Sequence, residues 1–214
     1  MLRPLIGILG GTFDPVHRGH LQLALDATRA LGLDALRCIP AGQPPHREQP
    51  VAPPADRLAM VQLAMRTAPG CVVDDAEISQ SGPSWTIRTL ERLRVALPDS
   101  ALVLIVGADA FLGLSSWHRW DELLNFAHIA VANRPGHSLD EQAMPPALAT
   151  IWRERQTSVG ALRKEVAGRV VSFTITPCSV SATTIRQALR QGRPISDQVP
   201  PAVEDYIHQH HLYV

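Results

Sequence analysis

His17 and His20 stand three residues apart in "GGTFDPVHRGH", Gly10 to His20, directly after the apolar run "LIGILG" at 5–10. On a helical turn, side chains three apart project to one side, so the two imidazoles can offer N–H donors to a single phosphate group. Gly10 and Gly11 remove side chains where a backbone must turn or approach a ligand closely. Gly19 and His20 fall at the start of the following helix, whose unpaired amides attract anions. Other uses of such residues have their own requirements. A dinucleotide fingerprint needs GxGxxG, whereas the spacing here is GxxGG, and a GxxxxGK phosphate loop is absent from the chain. A metal held by two histidines wants a further ligand nearby. The nearest carboxylate, Asp14, precedes Pro15, where a turn role is at least as natural.

A second pattern is "VSATTIR" at 180–186. Ser181 can cap a helix running through "TTIRQALRQG", which would bring its first amides, the Thr183 hydroxyl and Arg186 toward a phosphate. An ordinary capped helix is the plainer reading of the same residues.

Short apolar runs alternate with longer stretches of helical period, the pattern of a parallel sheet covered by helices. The expected strands are 5–10, 35–40, 71–75, 101–107, 128–133 and 169–175; the expected helices are 19–32, 56–67, 84–97, 120–126, an ill-defined stretch within 139–167, 182–191 and 200–210. The expected fold class is α/β, a doubly wound, mostly parallel sheet with helices on both faces, in one domain over 1–214 whose part 181–214 is helical. In such a sheet ligands bind beyond the carboxyl ends of the strands, where "GGTFDPVHRGH" lies. The proline-rich segment 42–56 reads as a long loop and not a domain linker, of a length that is usually functional or disordered.

The 214 residues carry 20 Lys plus Arg and 20 Asp plus Glu, so no basic field argues for a nucleic-acid partner. The apolar runs are too short to span a bilayer, and "LIGILGG" lacks the pattern of a signal peptide, so a soluble, cytoplasmic protein with no membrane partner is expected. Cys38, Cys71 and Cys178 are widely spaced without a CxxC pair and read as small buried residues. The oligomeric state is left open, a homo-oligomer included.

"GGTFDPVHRGH" resembles the signature of the nucleotidyltransferase superfamily with an HxGH motif, and its wording resembles the bacterial nicotinate-nucleotide adenylyltransferases. "PPHR" (44–47), "PSWTIRTL" (83–90), "GADAFLGLSSWHRW" (107–120), "NRPG" (133–136) and "VSATTIR" resemble later segments of that family in the same order, leaving roughly 138–168 unexplained. Arg88 stands where the family usually has an acidic residue, and Arg47 where it often has Lys. The resemblance implies a Rossmann-like nucleotidyltransferase fold and adenylyl transfer from ATP to nicotinate mononucleotide, giving nicotinate adenine dinucleotide and pyrophosphate, with Mg²⁺ carried mainly by the ATP phosphates and no protein metal site. His17, His20 and Arg186 would then be catalytic. Gly10, Gly11, Thr12, Phe13, Gly19, Gly107, Asp109, Arg134, Ser181 and Thr183 would bind ATP. His46, Arg47, Trp85, Thr86 and Trp117 would bind the mononucleotide, with Trp117 stacked on the pyridine ring, Thr86 and nearby amides on its carboxylate, and His46 and Arg47 on a closing loop. Trp152 is assigned to packing. Nicotinamide mononucleotide or phosphopantetheine as acceptor, and a noncatalytic nucleotide sensor, are the rival readings; a tRNA synthetase is disfavoured by the chain's size and charge balance.

Overall fold

The computed structural model describes residues 2–44, 49–136 and 139–214. Six strands form one sheet: β1 (Leu5–Gly11), β2 (Ala35–Pro40), β3 (Cys71–Val73), β4 (Ala101–Gly107), β5 (His128–Asn133) and β6 (Val170–Thr174). Their order is β3-β2-β1-β4-β5-β6 and every pairing is parallel. The helices are α1 (Arg18–Leu31), α2 (Pro54–Met65), α3 (Ala76–Ser79), α4 (Thr86–Ala96), α5 (Ala108–Leu112), α6 (Leu123–Phe126), α7 (Pro146–Arg155), α8 (Ala182–Arg190) and α9 (Pro201–Gln209).

Strand alternation divides the core into two layers. In β4, Ala101, Val103 and Ile105 face a core shared with Ala24 and Ala27 of α1, Val61 of α2, Ile185 of α8 and Ile207 of α9. Leu102, Leu104 and Val106 face a second core shared with Ile87 and Leu90 of α4, Phe111 of α5 and Leu148 of α7. The strand order reverses at β1, which has β2 on one side and β4 on the other. Register shows what this reversal opens. β1 pairs with β2 as far as Gly11 opposite Pro40, but with β4 only as far as Ile8 opposite Leu104. Beyond Ile8 the two strands part, and the crevice between their carboxyl ends is the switch-point site of an open α/β sheet.

The differences from expectation have local causes. Helix α2 begins at Pro54 because proline suits the first helical turn, where its missing N–H costs nothing. Helix α4 begins at Thr86 and not at 84, since Ser84 N donates to Gln43 O and Trp85 N to Pro83 O, which takes both residues out of the helix. β3 stops at Val73; Asp74 beyond it turns its carboxylate to Arg92, at 2.8 Å, and to Arg37, at 3.4 Å. The stretch 139–167 resolves into a 3₁₀ turn (Glu141–Ala143), α7 and a 3₁₀ run (Val159–Lys164). Of the cysteines, only Cys38 is fully buried; Cys71 and Cys178 are half-buried, and pairing of β2 with β3 brings Cys38 Sγ and Cys71 Sγ to 3.0 Å as free thiols. Trp152 packs edge-on against Phe111, centroids 5.7 Å apart, in the second core. Among the described residues no helix is long and apolar enough to cross a membrane.

The loops at the crevice are held by Arg57 of α2, which is wholly buried. Its guanidinium donates to Thr12 O (2.8 Å), Ala41 O (2.6 Å), Gly42 O (3.0 Å) and Ala52 O (3.3 Å), binding the β1–α1 loop to both ends of the β2–α2 loop. Arg57→Met would fill the space and leave four carbonyls without their donor. The expected cost is about 3 kcal/mol or more, read as a lowered urea midpoint, and an unchanged midpoint would refute the clamp.

Candidate active site

A cleft of about 960 Å³ opens where β1 and β4 part. That is the upper end of the usual range for small-molecule sites, and large enough for a dinucleotide. Its floor is the strand ends: a side chain on Gly10 or Gly107 would meet nothing within 4 Å, so both glycines leave bare backbone facing the cleft. Thr12 and Phe13 form one wall, and Phe13 is held at φ 51°, a left-handed conformation unusual for a bulky residue, with its ring buried in the first core.

His17 and His20 line the cleft together, at the start of α1. Their rings stack with centroids 3.8 Å apart, and Phe13 meets His20 edge-on at 4.9 Å. His17 N donates to His20 Nδ1 at 3.3 Å, so Nδ1 is an acceptor and the proton of a neutral His20 sits on Nε2. His17 is 8% exposed; burial pushes its imidazole down to about 4, and its Nδ1 has no hydrogen-bond partner among the described residues. A neutral His17 adds no charge to the cleft. Gly19 itself does not line the cleft. Its role is clearance: a Cβ there would come within 3.1 Å of the His17 ring and 3.4 Å of Cys178 Sγ.

Beside the histidine loop stands the start of α8. Ser181 Oγ accepts from Thr184 N at 3.2 Å, the predicted cap, and Ser181, Thr183 and Arg186 all line the cleft. Arg186 is the one Lys or Arg side chain doing so among the described residues. The segment leading to it is tethered by Asp26 of α1, whose buried carboxylate accepts from Thr176 N at 2.7 Å. Asp109, exposed in the first turn of α5, lines the cleft without capping a helix, and Trp85, Thr86 and Trp117 close its far side. Trp85 packs its ring on His118, centroids 4.7 Å apart. Because Trp85 N already donates to Pro83 O, the Thr86 amide at the open start of α4 is the better placed for a carboxylate.

One expected site residue stands apart from the cleft and two lie outside the described residues. Arg134 is exposed beyond β5 and is not among the residues lining the cleft. Arg88, too, is exposed, on the outer side of α4 beside Glu77 and Gln80. His46 and Arg47 lie outside the described residues. Sequence reading missed Arg57 and Asp26, and it gave Asp14 a local turn. Asp14 instead accepts from the amides of Val51 (2.7 Å) and Ala52 (3.0 Å) on the next loop. It also missed Glu77, whose carboxyl is pushed above the usual range mainly by burial and accepts from Thr89 Oγ1 at 2.5 Å. None of these has a periodic or spacing signal; each is defined by what it meets across the fold.

Fold and site together define a nucleotidyltransferase of the cytidylyltransferase-like family, whose pattern matches residues 8–188. Proteins named probable nicotinate-nucleotide adenylyltransferase from Dechloromonas aromatica and Aeromonas hydrophila are each 46% identical to this chain, over all of it and 99% of their own length. The chain belongs to the nicotinate-nucleotide adenylyltransferase family. The fold is also that of Plasmodium falciparum nicotinic acid mononucleotide adenylyltransferase complexed with NaAD, at TM-score 0.74 and 18% identity over 99% of this chain and 98% of that one.

The neutral state of His17 makes a pH prediction. Its folded pKa lies below the usual 6.5, so between about 4 and 6.5 the unfolded chain holds the extra proton and stability falls as pH is lowered through that window. His128, buried with its Nδ1 accepting from Arg169 N, is lowered by burial in the same direction. His17→Asn isolates the first effect. Between pH 7 and pH 4.5 the native protein should lose up to about 3 kcal/mol more than the variant in urea unfolding. Parallel losses would show that His17 protonates freely in the fold.

Proposed function

We propose that the protein transfers the adenylyl group of MgATP to nicotinate mononucleotide, releasing pyrophosphate, as one nucleotidyltransferase domain. The observation that carries this reading is the meeting of two phosphate-binding helix starts, His17–His20 on α1 and Ser181–Arg186 on α8, across one cleft from a tryptophan-lined recess. An oxygen of the mononucleotide phosphate attacks the α-phosphorus of ATP; the new P–O bond forms as the bond to the β-phosphate oxygen breaks. No covalent enzyme intermediate is needed, and an ionised phosphate needs no general base. The protein aligns two anions and stabilises charge developing on the reacting phosphorus and leaving group. His20 Nε2–H, Arg186 and the first amides of α8 are suited to that task, and Thr12 and Phe13 to the backbone around the triphosphate. Gly107 and Asp109 are assigned to the adenosine, with Asp109 accepting from hydroxyl or amino groups.

Mg²⁺ belongs to the substrate. An ion held by phosphate oxygens and water needs few protein ligands. On the acceptor side, Trp117 offers a face for the pyridine ring and Thr86 an amide for its carboxylate. His46 and Arg47 on the 42–56 loop are proposed to close over the phosphates. The proposed location is the cytoplasm, where ATP is supplied. The mixing of α8 and α9 with the strands in the first core supports a single domain.

The test is pyrophosphate release from MgATP with nicotinate mononucleotide and nicotinamide mononucleotide supplied separately. Release at least about tenfold faster with the acid is expected, a difference of roughly 1.4 kcal/mol that one amide–carboxylate contact can supply. Equal rates would remove the carboxylate contact at Thr86, and no release with either would refute the reading. His20→Ala should lower kcat by about a hundredfold or more while the melting temperature stays near that of the native protein. Retained turnover would take His20 out of the mechanism.

A further inference from the structure

Tyr213 reaches the active site from the far end of the sequence. After α9 the chain turns back through two non-glycine residues in the left-handed region, His211 at φ 50° and Tyr213 at φ 67°. Such conformations are strained for residues with a side chain and persist where the surroundings demand them. Here the result is a phenol buried in the first core, 6% exposed, whose hydroxyl donates to Asp14 Oδ1 at 2.8 Å. Burial, followed by the neighbouring Asp14, raises the phenol well above its ordinary range, so it stays a donor.

Asp14 is the residue next to which Arg186 lies. Arg186 Nη1 donates to the Asp14 carbonyl at 2.7 Å, while the nearest carboxylate oxygen, Oδ2, is 3.9 Å away. The carboxylate is instead occupied by three other donors: the Tyr213 hydroxyl and the amides of Val51 and Ala52. This division of partners matters for an anion site. A buried carboxylate short of donors would draw the neighbouring guanidinium into a direct, charge-assisted pair, and an arginine so paired is lost to an incoming phosphate. With its charge already shared among three donors, Asp14 holds Arg186 by the backbone carbonyl and leaves it facing the cleft.

We propose that Tyr213 is a positioning residue of the phosphate site: by satisfying Asp14 it keeps Arg186 available to the pyrophosphate part of the nucleotide. This rests on the phosphate-binding reading of Arg186 given above. It assigns to a residue that does not line the cleft a share in recognising the leaving group.

Tyr213→Phe removes the hydroxyl and keeps the ring. The probe is inorganic pyrophosphate with Mg²⁺, its dissociation constant measured by calorimetry on the native protein, Tyr213→Phe, Arg186→Ala and the double variant. Binding about tenfold weaker in Tyr213→Phe is expected, with less than a twofold further effect of the same change in the Arg186→Ala background. Affinity for nicotinate mononucleotide alone should be unaltered. Unchanged pyrophosphate affinity, or an equal loss in both backgrounds, would overturn the proposal, because a merely structural phenol has no reason to act through Arg186. If Arg186→Ala binds pyrophosphate as well as the native protein does, the functional reading of Arg186 fails first, a separate outcome. Should Tyr213→Phe not fold, hydrogen exchange on the native protein decides: the Val51 and Ala52 amides should be as protected as β-strand amides, and exchange at loop rates would refute the shared carboxylate.

Discussion

Arg57 has no contact with water and spends its guanidinium on backbone oxygens of Thr12, Ala41, Gly42 and Ala52. A charge that deep in a protein persists only where its donors are met, and here the acceptors are the carbonyls of the loops that frame the ligand cleft. The arrangement sets the order of assembly in space. Helix α2 must lie on the sheet for the arginine to be there, and the β1–α1 and β2–α2 loops take their paths around it. The stretch from Thr12 to His20, proposed to face phosphate, is therefore placed from beneath by a residue outside the cleft lining.

Above that clamp the site is economical in charge. Burial keeps His17 neutral, and the bond from His17 N fixes the acceptor nitrogen of His20, so the pair offers oriented dipoles more than cationic charge. Such donors need little rearrangement when negative charge builds up, which is the condition under which electrostatic stabilisation is most effective. Among the described residues the one Lys or Arg on the lining is Arg186, which stands beside Asp14 on the same half of the cleft as the histidines. The division suits a reaction in which one phosphate must be stabilised at its reacting centre and another must leave.

What was legible in the sequence was whatever repeats with the period of an element or follows a local rule of spacing. β2, β4 and β5 run over the residues expected from their apolar stretches, and α8 carries the predicted Ser181 cap. The His17–His20 pair and the flanking glycines were readable because one helical turn and one strand end suffice to bring them together. Arg57, Asp14, Glu77 and Tyr213 were not readable in that way. Their partners lie tens to nearly two hundred residues away, and a buried arginine or tyrosine looks in a string of letters like any surface arginine or core aromatic. Arg134 shows the other side of local reading: a basic residue just beyond a strand has the right address for an anion, yet it stands exposed and apart from the residues that line the cleft.

The two halves of the cleft are built on opposite faces of the sheet, and the β2–α2 loop is where they meet. The half proposed for the phosphates, α1 and α8, is seated on the core that also holds α2 and α9; the half proposed for the acceptor, α4, on the core that also holds α5 and α7. Sliding of one face against the other would separate the reacting groups. Two attachments of the same loop oppose it. On one side Arg57 grips Ala41 O and Gly42 O; on the other Ser84 Oγ accepts from Gly42 N at 2.9 Å and Gln43 N at 3.1 Å, directly before the Trp85–Thr86 start of α4. Gly42 makes the junction close enough to hold, since a Cβ there would fall 2.1 Å from the Glu77 carbonyl oxygen. In-line transfer between two bound nucleotides tolerates errors of well under an ångström. A junction with backbone donors and acceptors gripped from both sides keeps the acceptor recess in register with the phosphate-binding helices.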